Sequence, residues 1–356
     1  MSRFLDGRYA SLEAYTPGEQ PQDMQYVKLN TNECPFPPAP AVFGCFTREA
    51  ADAQRLYPDP EGKRLRAKLA EVYGLKSENV MLANGSDDIL NFAFMAYGCA
   101  GVAFADICYG FNKVFAQLHG TDTLIVPLRE DLTIDPADYY GLGRTIFIDN
   151  PNAPTGEVLS VAQIEDILRK NPDNVVVVDE AYVDFGAQSC LPLLKDYGNL
   201  LIVRTYSKSR ALAGARLGFA MAGKDIIGDL ELLRFSTNPY NINRLSLSIG
   251  EAVLSDADYF ESCRDRIMKN RAYAQSELKK LGFSMTNSLA NFLFAAHPKV
   301  TGLELYQKLK ENGVLVRHFE TPRLKNYNRI TIGTREQMDV LLEKTKEIIS
   351  GGKNNA

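Results

Sequence analysis

The chain contains no run of eighteen apolar residues, so a membrane-spanning helix is not expected. Its first stretch, MSRFLDGRYASLEAY, carries acidic residues and no apolar core segment, and a secretory signal is not expected either. Histidine is scarce: His119, His297 and His318 lie far apart and form no HExxH pattern, which argues against a zinc site. The six cysteines, Cys34, Cys45, Cys99, Cys108, Cys190 and Cys263, include no CxxC pair and no metal-ligand spacing. In a chain of this length they read as reduced, mostly buried thiols of a cytoplasmic protein. Positive charge is not in excess, because 40 Lys and Arg against 44 Asp and Glu leave a formal charge of −4. That balance offers no general grip on nucleic acid or anionic lipid. No GxGxxG follows the early strands, which removes the dinucleotide-binding fingerprint. No internal repeat or low-complexity tract is present, and the tail GGKNNA (351–356) reads as a frayed end.

What remains is an ordinary globular composition, 45% apolar and 24% charged, in a chain long enough for two cores rather than one. The proline-rich TNECPFPPAP (31–40) is expected to be extended. In GKRLRAKLAEVY (62–73), Leu65, Leu69 and Val72 recur at helical spacing. Short apolar runs then alternate with helical patterns: NVMLA (79–83), GVAFA (101–105), DTLIVPL (122–128), TIFID (145–149), NVVVVDE (174–180), NLLIV (199–203) and LGFAMA (217–222). Runs apolar on both faces and separated by helices predict an α/β domain with a mostly parallel seven-stranded sheet covered on both sides. That domain is placed at 40–255. A long charged helix after Asp256 and shorter strands near 291–295, 313–319 and 327–333 predict a smaller α+β domain over 256–350. Residues 1–39 are expected as an N-terminal arm that completes it, and 351–356 as a tail.

Ligands of an open parallel sheet bind outside the carboxyl ends of its strands, so the residues directly after each run carry the functional reading. After NVMLA, the turn NGSDDIL opens a helix with Ser86 or Asp87 as the expected cap, and free N–H groups there favour a phosphate. After TIFID, the loop NPNAPTG (150–156) presents Asn152 on a backbone stiffened by two prolines. Asp179 ends NVVVV, where a carboxylate is costly to desolvate unless a cation meets it, and Tyr182 follows three residues later. After NLLIV comes RTYSKSRALAGAR (204–216), in which Lys208 stands among Ser207, Ser209 and Ala211, with Gly214 expected to permit close backbone approach. Taken singly, these are also the marks of a capped helix, a turn, a hydrated strand end and a solvated lysine. Together they are the parts needed to hold pyridoxal 5′-phosphate: a phosphate-binding helix start with Ser207 and Arg216, an aspartate for the ring nitrogen, and a lysine for the aldehyde.

TYSKSRALAG (205–214) resembles the cofactor-attachment pattern of class-II pyridoxal-phosphate aminotransferases of fold type I. KLNTNECPFPP, YPDPEGKRLRAKLA, NGSDDIL, DNPNAPTG, VVVDEAYVDF, RTYSKSRALAGARLGF and RITIGTREQM extend the resemblance over nearly the whole chain, toward the histidinol-phosphate aminotransferase family. The resemblance implies roles for individual residues. Lys208 would carry the cofactor and act as the base; Asp179 would pair with the ring nitrogen; Asn152 and Tyr182 would bond its 3′-oxygen; Tyr109 would stack on its face. Ser86, Asp87, Ser207 and Arg216 would hold its phosphate, and Tyr57 would reach the phosphate in a neighbouring subunit, which implies a homodimer. Arg329, Arg317, Tyr15 and Asn32 would meet the substrate. The implied reaction is amino transfer between glutamate and a phosphorylated substrate, histidinol phosphate with imidazole-acetol phosphate as its ketone. The alternatives are a threonine-phosphate decarboxylase, an aromatic or other amino-acid aminotransferase, and a non-catalytic relative. Asp88, Ala153, Cys34, Phe36 and Arg210 depart from the family's pattern, and the changes at 33–36 and at Arg210 are expected to bear on the substrate end.

Overall fold

A computed structural model describes residues 2–351; the expected frayed tail, apart from Gly351, lies outside the described residues. Strand β1 is Val27–Lys28. Seven further strands form one sheet: β2 (Val80–Ala83), β3 (Val102–Ala105), β4 (Thr123–Val126), β5 (Thr145–Asp149), β6 (Val176–Asp179), β7 (Leu200–Thr205) and β8 (Gly218–Ala222). Their order is β2-β8-β7-β6-β5-β3-β4, and only β8 runs antiparallel to its neighbours.

Successive side chains of a strand point to opposite faces, and in every strand of this sheet except the edge strand β4, where Leu124 and Ile125 are exposed, both faces are buried. Val176 and Val178 join Ile146, Ile148, Leu200 and Ile202 in one core. Val177 joins Phe147, Leu201 and Val203 in the core on the other side, where Phe147 stacks on Phe94 of the helix Ser86–Tyr97 at 4.1 Å between centroids. This two-sided burial explains why the runs read as continuous rather than alternating. In the helix Lys63–Tyr73, Leu65 and Leu69 are buried as expected, but Val72 is exposed. Tyr73 and Leu75 cover the core at that end instead.

The second body contains β9 (Ser284–Met285), β10 (Phe292–Ala296), β11 (Val314–Leu315), β12 (Arg317–His318) and β13 (Tyr327–Thr331). Strands β12-β13-β10-β9 form an antiparallel sheet. The helix Ala257–Lys280, capped by Asp256, buries Cys263, Ile267, Ala274 and Leu278 in the core of this body. Strand β1 pairs in parallel with β11, so the N-terminal segment joins it. A small cluster of Ala105, Ile107, Leu128 and Leu132 against Phe294 and Leu324 packs this body onto the ends of the main-sheet strands.

The segment 31–40 is not uniformly extended. Asn32 adopts a left-handed conformation (φ 57°), which asparagine tolerates better than most residues, and its own polar groups are all bonded there. At the other end Pro40 opens a 3-10 helix, Pro40–Cys45, at a position where its missing N–H costs nothing.

Candidate active site

The carboxyl ends of β5, β6 and β7 and the start of the helix Ser86–Tyr97 enclose a cleft of ≈ 150 Å³. Lys208, Asp179, Tyr182, Tyr109, Ser86, Asp87, Ser207 and Arg216 all line it. The helix start differs from expectation. Gly85 occupies the cap position, Ser86 is already helical, and no side chain caps the first amides. A cap would consume the N–H groups that otherwise remain for an anion. Gly85 has φ 92°, and a Cβ there would lie 2.8 Å from Arg216 Nη2. A Cβ on Gly218 would intrude on the Gly85–Ser86 peptide. The close approach expected at Gly214 therefore occurs at Gly218, since nothing lies within 4 Å of a Cβ on Gly214.

Around this start, Asp87 accepts from the Tyr109 hydroxyl at 2.8 Å and pairs with Arg216 at 3.1 Å. Its carboxylate thus orients two cleft residues, and only its backbone amide is left to meet an anion. Burial and the neighbouring Asp87 carboxylate push the Tyr109 phenol far above its usual range, so it remains a donor. Asn152 is buried and lines neither this cleft nor the chamber beside it, although its neighbours Pro151 and Ala153 are in the cleft wall; its Nδ2 donates to Ile107 O at 3.2 Å and Thr155 Oγ1 at 2.9 Å, while its Oδ1 has no partner among the described residues. Among the described residues Lys208 Nζ makes one hydrogen bond, 3.4 Å to Thr31 O, and lies 5.8 Å from the centre of the Tyr182 ring.

Asp179 accepts one N–H, from Ala181 at 2.9 Å. Burial, with the Asp149 carboxylate adding to it, pushes Asp179 well above the usual carboxylate range. Among the described residues no cation pairs with it. A buried carboxylate in this condition either takes up a proton or gains a cationic partner.

The loop carrying Lys208 is held by a network that sequence reasoning missed. Buried Arg204 bonds Glu180 and Asp184, each at 2.9 Å, and Asp184 also accepts from Ser209 Oγ at 2.5 Å. The turn after β6 is thereby tied to the residues flanking the lysine. The available signal was a charged residue continuing the apolar run NLLIV.

A second chamber of ≈ 520 Å³ adjoins the first, sharing Tyr109 and Ala153 in its wall. Tyr15, Arg317 and Arg329 line it, and Tyr15 stacks on Phe111 at 4.4 Å. Arg317 and Arg329 are direct cross-strand partners on β12 and β13. Like charges facing one another across a ladder are unfavourable unless an anion joins them. Arg329 is bonded to Asn30 O at 3.0 Å, and its Nε has no partner among the described residues. Burial disfavours its charged form and lowers its pKa, a cost that a counter-charge would offset. Arg323, which the sequence reading passed over, also lines this chamber and pairs with Asp106 at 2.7 Å.

Several expected residues stand elsewhere. Asn32 lines neither chamber; its Nδ2 donates to Tyr182 Oη at 2.9 Å and its Oδ1 accepts from Thr331 at 3.0 Å, so it positions Tyr182 rather than facing a substrate. Tyr57 is exposed, stacks on Tyr240 at 4.4 Å and lines neither chamber. Arg210 lies 3.6 Å from the centre of the Phe260 ring, and Phe36 lies under Arg266. Arg210, Cys34 and Phe36 are absent from both chamber walls, whereas Glu33, within the same 33–36 segment, lines the first.

The residues present fit pyridoxal phosphate. They offer uncapped amides beside Arg216 for a phosphate, a cation-deficient buried Asp179 for a ring nitrogen, an orphaned Asn152 oxygen and a lysine amine. The sequence pattern of the family described as "Aminotransferase class I and II" matches residues 24–344. A histidinol-phosphate aminotransferase of Brachyspira hyodysenteriae is 45% identical over 98% of this chain and 99% of its own length. One from a Marinomonas species is 48% identical over 98% of this chain and 100% of its own. The solved histidinol-phosphate aminotransferase of Sinorhizobium meliloti in complex with pyridoxal-5′-phosphate superposes with a TM-score of 0.83 at 24% identity, covering 91% of each chain. The fold is accordingly that of the fold-type I pyridoxal-phosphate enzymes, and by sequence the chain belongs to the class I and II aminotransferases, within them to the histidinol-phosphate aminotransferase family.

Proposed function

We propose that this protein transfers an amino group between glutamate and imidazole-acetol phosphate, forming 2-oxoglutarate and histidinol phosphate, in histidine biosynthesis. The observation that carries the reading is the pairing of two chambers: one whose lining fits pyridoxal phosphate, the other holding two guanidiniums on facing strands, Arg317 and Arg329, that bond backbone carbonyls and have no carboxylate partner among the described residues. When bound, the cofactor supplies the electron sink that makes a substrate Cα–H acidic. Lys208 Nζ then removes that proton, and the Arg204 network keeps the amine in place. Asp179 would meet the ring nitrogen. Asn152 and Tyr182, the latter held by Asn32, would hold the ring oxygen, and Tyr109 would cover the ring face. The amides of Ser86 and Asp87, with Ser207 and Arg216, would hold the cofactor phosphate. Arg329, Arg317 and Tyr15 bind the anionic group of either substrate, a positioning effect that selects which Cα bond breaks.

Residues 40–255 act in this reading as the cofactor domain, and 256–350 with 1–39 as the second domain. The confinement of the seven-stranded sheet to 80–222 and the pairing of β1 with β11 support the division. The working form is a homodimer in the cytoplasm, with Tyr57 completing the phosphate site of the other copy. Exposed Phe43, Phe46, Leu56, Tyr57 and Tyr240 support that contact. Among the described residues no helix is long and apolar enough to cross a membrane.

The test is a substrate panel followed by the visible band of the bound cofactor. Glutamate and histidinol phosphate are expected to convert it. Lys208→Ala is expected to lose about 10³-fold or more of the turnover. Conversion by phenylalanine but not histidinol phosphate, or CO₂ release from threonine phosphate, would overturn the assignment.

A further inference from the structure

Asp179 is not the only acid at the end of a buried strand. Asp149 ends β5 directly beside it, the two being register partners on adjacent parallel strands. Both are buried, both line the smaller chamber, and neither meets a cationic side chain among the described residues. Asp149 is the better bonded: it accepts from the Tyr109 backbone N–H at 2.5 Å and from Asn112 Nδ2 at 3.3 Å. Asn112 lies in the first turn of the helix Gly110–His119, and Tyr109 immediately precedes it. Tyr109 is therefore pinned at two ends by carboxylates, its backbone by Asp149 and its hydroxyl by Asp87.

We propose that Asp149 is a positioning residue of the cofactor site: it fixes the Tyr109 ring against the cofactor and places a second negative charge beside Asp179 at the ring-nitrogen end. This rests on the chamber being a pyridoxal-phosphate site. A second carboxylate near a cationic ring holds its proton more firmly, which strengthens the electron sink without contacting the substrate. The other titratable groups facing Asp149 are Asp179, Cys108 and Tyr139. Burial, with Asp149 itself contributing, holds Cys108 well above its usual range; burial, followed by Cys108 and Asp149, does the same for Tyr139. Neither ionises near neutral pH, so a change in cofactor titration there traces to the aspartates.

The full chain, Asp149→Asn and Asp149→Ala are compared for pyridoxal-phosphate affinity by equilibrium dialysis, for the pH midpoint of the bound cofactor's visible band, and for melting of the cofactor-free proteins. Asp149→Asn keeps a carbonyl acceptor for the closer donor, the Tyr109 N–H, and removes the charge together with the acceptor that meets Asn112. Its midpoint is expected to fall by about half a unit and its affinity by about threefold, with the glutamate KM unchanged. Asp149→Ala, which loses the hydrogen bonds too, is expected to bind about tenfold more weakly still. Unchanged midpoint and affinity in Asp149→Asn overturn the proposal, as does a lowered melting temperature with no midpoint change. Where Asp149→Ala does not fold, the Asn variant carries the decision. Uptake of no cofactor by the unsubstituted chain, or no Lys208 adduct after borohydride trapping, overturns the underlying reading and this proposal with it.

Discussion

A carboxylate buried without a cation works against the fold that holds it, and Asp179 is such a group. Burial first, and the Asp149 carboxylate next, raise its pKa; burial raises Asp149 to about 6 from 3.8. For an acid whose folded pKa is raised, the folded chain keeps a proton that the unfolded chain releases. Stability is then fully present below about pH 4 and is lost as pH rises through about 6 and above. The cofactor-free protein should therefore melt at a lower temperature at pH 8 than at pH 5 from this contribution. Asp179→Asn removes the burden, so at pH 8 its cofactor-free form should melt about 3 °C or more above the unsubstituted chain. With pyridoxal phosphate the order should reverse, because the variant has lost the charge that meets the ring. Scanning calorimetry of both forms at both pH values checks this; equal melting at pH 8 without cofactor would show that Asp179 is not strained by burial. The signal that marked Asp179, an acid ending an apolar run, is equally present at the end of TIFID, where Asp149 was not singled out.

The strands of the main sheet were legible because burial on both faces forces continuous apolar runs; the edge strand β4, with Leu124 and Ile125 exposed, carries the same pattern without that cause. What those ends do to one another was not legible. Gly214 sits in the attachment motif and drew the reading, yet the backbone crowding occurs at Gly218, where β8 pairs with β2 and passes the start of the helix Ser86–Tyr97. Gly218→Ala should push that helix start and Arg216 apart and weaken cofactor binding by about tenfold or more, with a smaller loss of cofactor-free stability. Dialysis against pyridoxal phosphate, with melting as the control, measures both. An affinity within twofold of the unsubstituted chain would mean that the helix start does not hold the phosphate. The cap was misplaced for a related reason. Ser86 and Asp87 are favourable capping residues in isolation, but glycine at 85 lets Arg216 lie against the turn, and the uncapped amides are the useful product of that arrangement.

For the whole molecule, Tyr57 is the informative residue, since it lines neither chamber of its own chain while lying among exposed aromatic side chains. A symmetric dimer would place it in the other copy's cleft. Lys208→Ala and Tyr57→Ala proteins, each impaired alone, should complement when unfolded together and refolded at equal amounts. Half of the dimers would be mixed, and each would hold one intact site, so about a quarter of the full activity should return. No recovery, with dimers confirmed by sedimentation, would mean that Tyr57 serves its own subunit or none.

Sheet class, the number of strands and the places of Lys208, Asp179 and the 84–88 turn directly after strands could be read along the chain, because each depends on periodicity or on a residue's position at a strand end. The facing of Arg317 and Arg329, the hold of Asn32 on Tyr182, the adjacency of Asp149 and Asp179 and the Arg204 network join residues from separate segments. Charge repulsion, desolvation and hydrogen bonding act on distance in space, and for these groups that distance exists only once the strands have paired and the second body has packed on their ends.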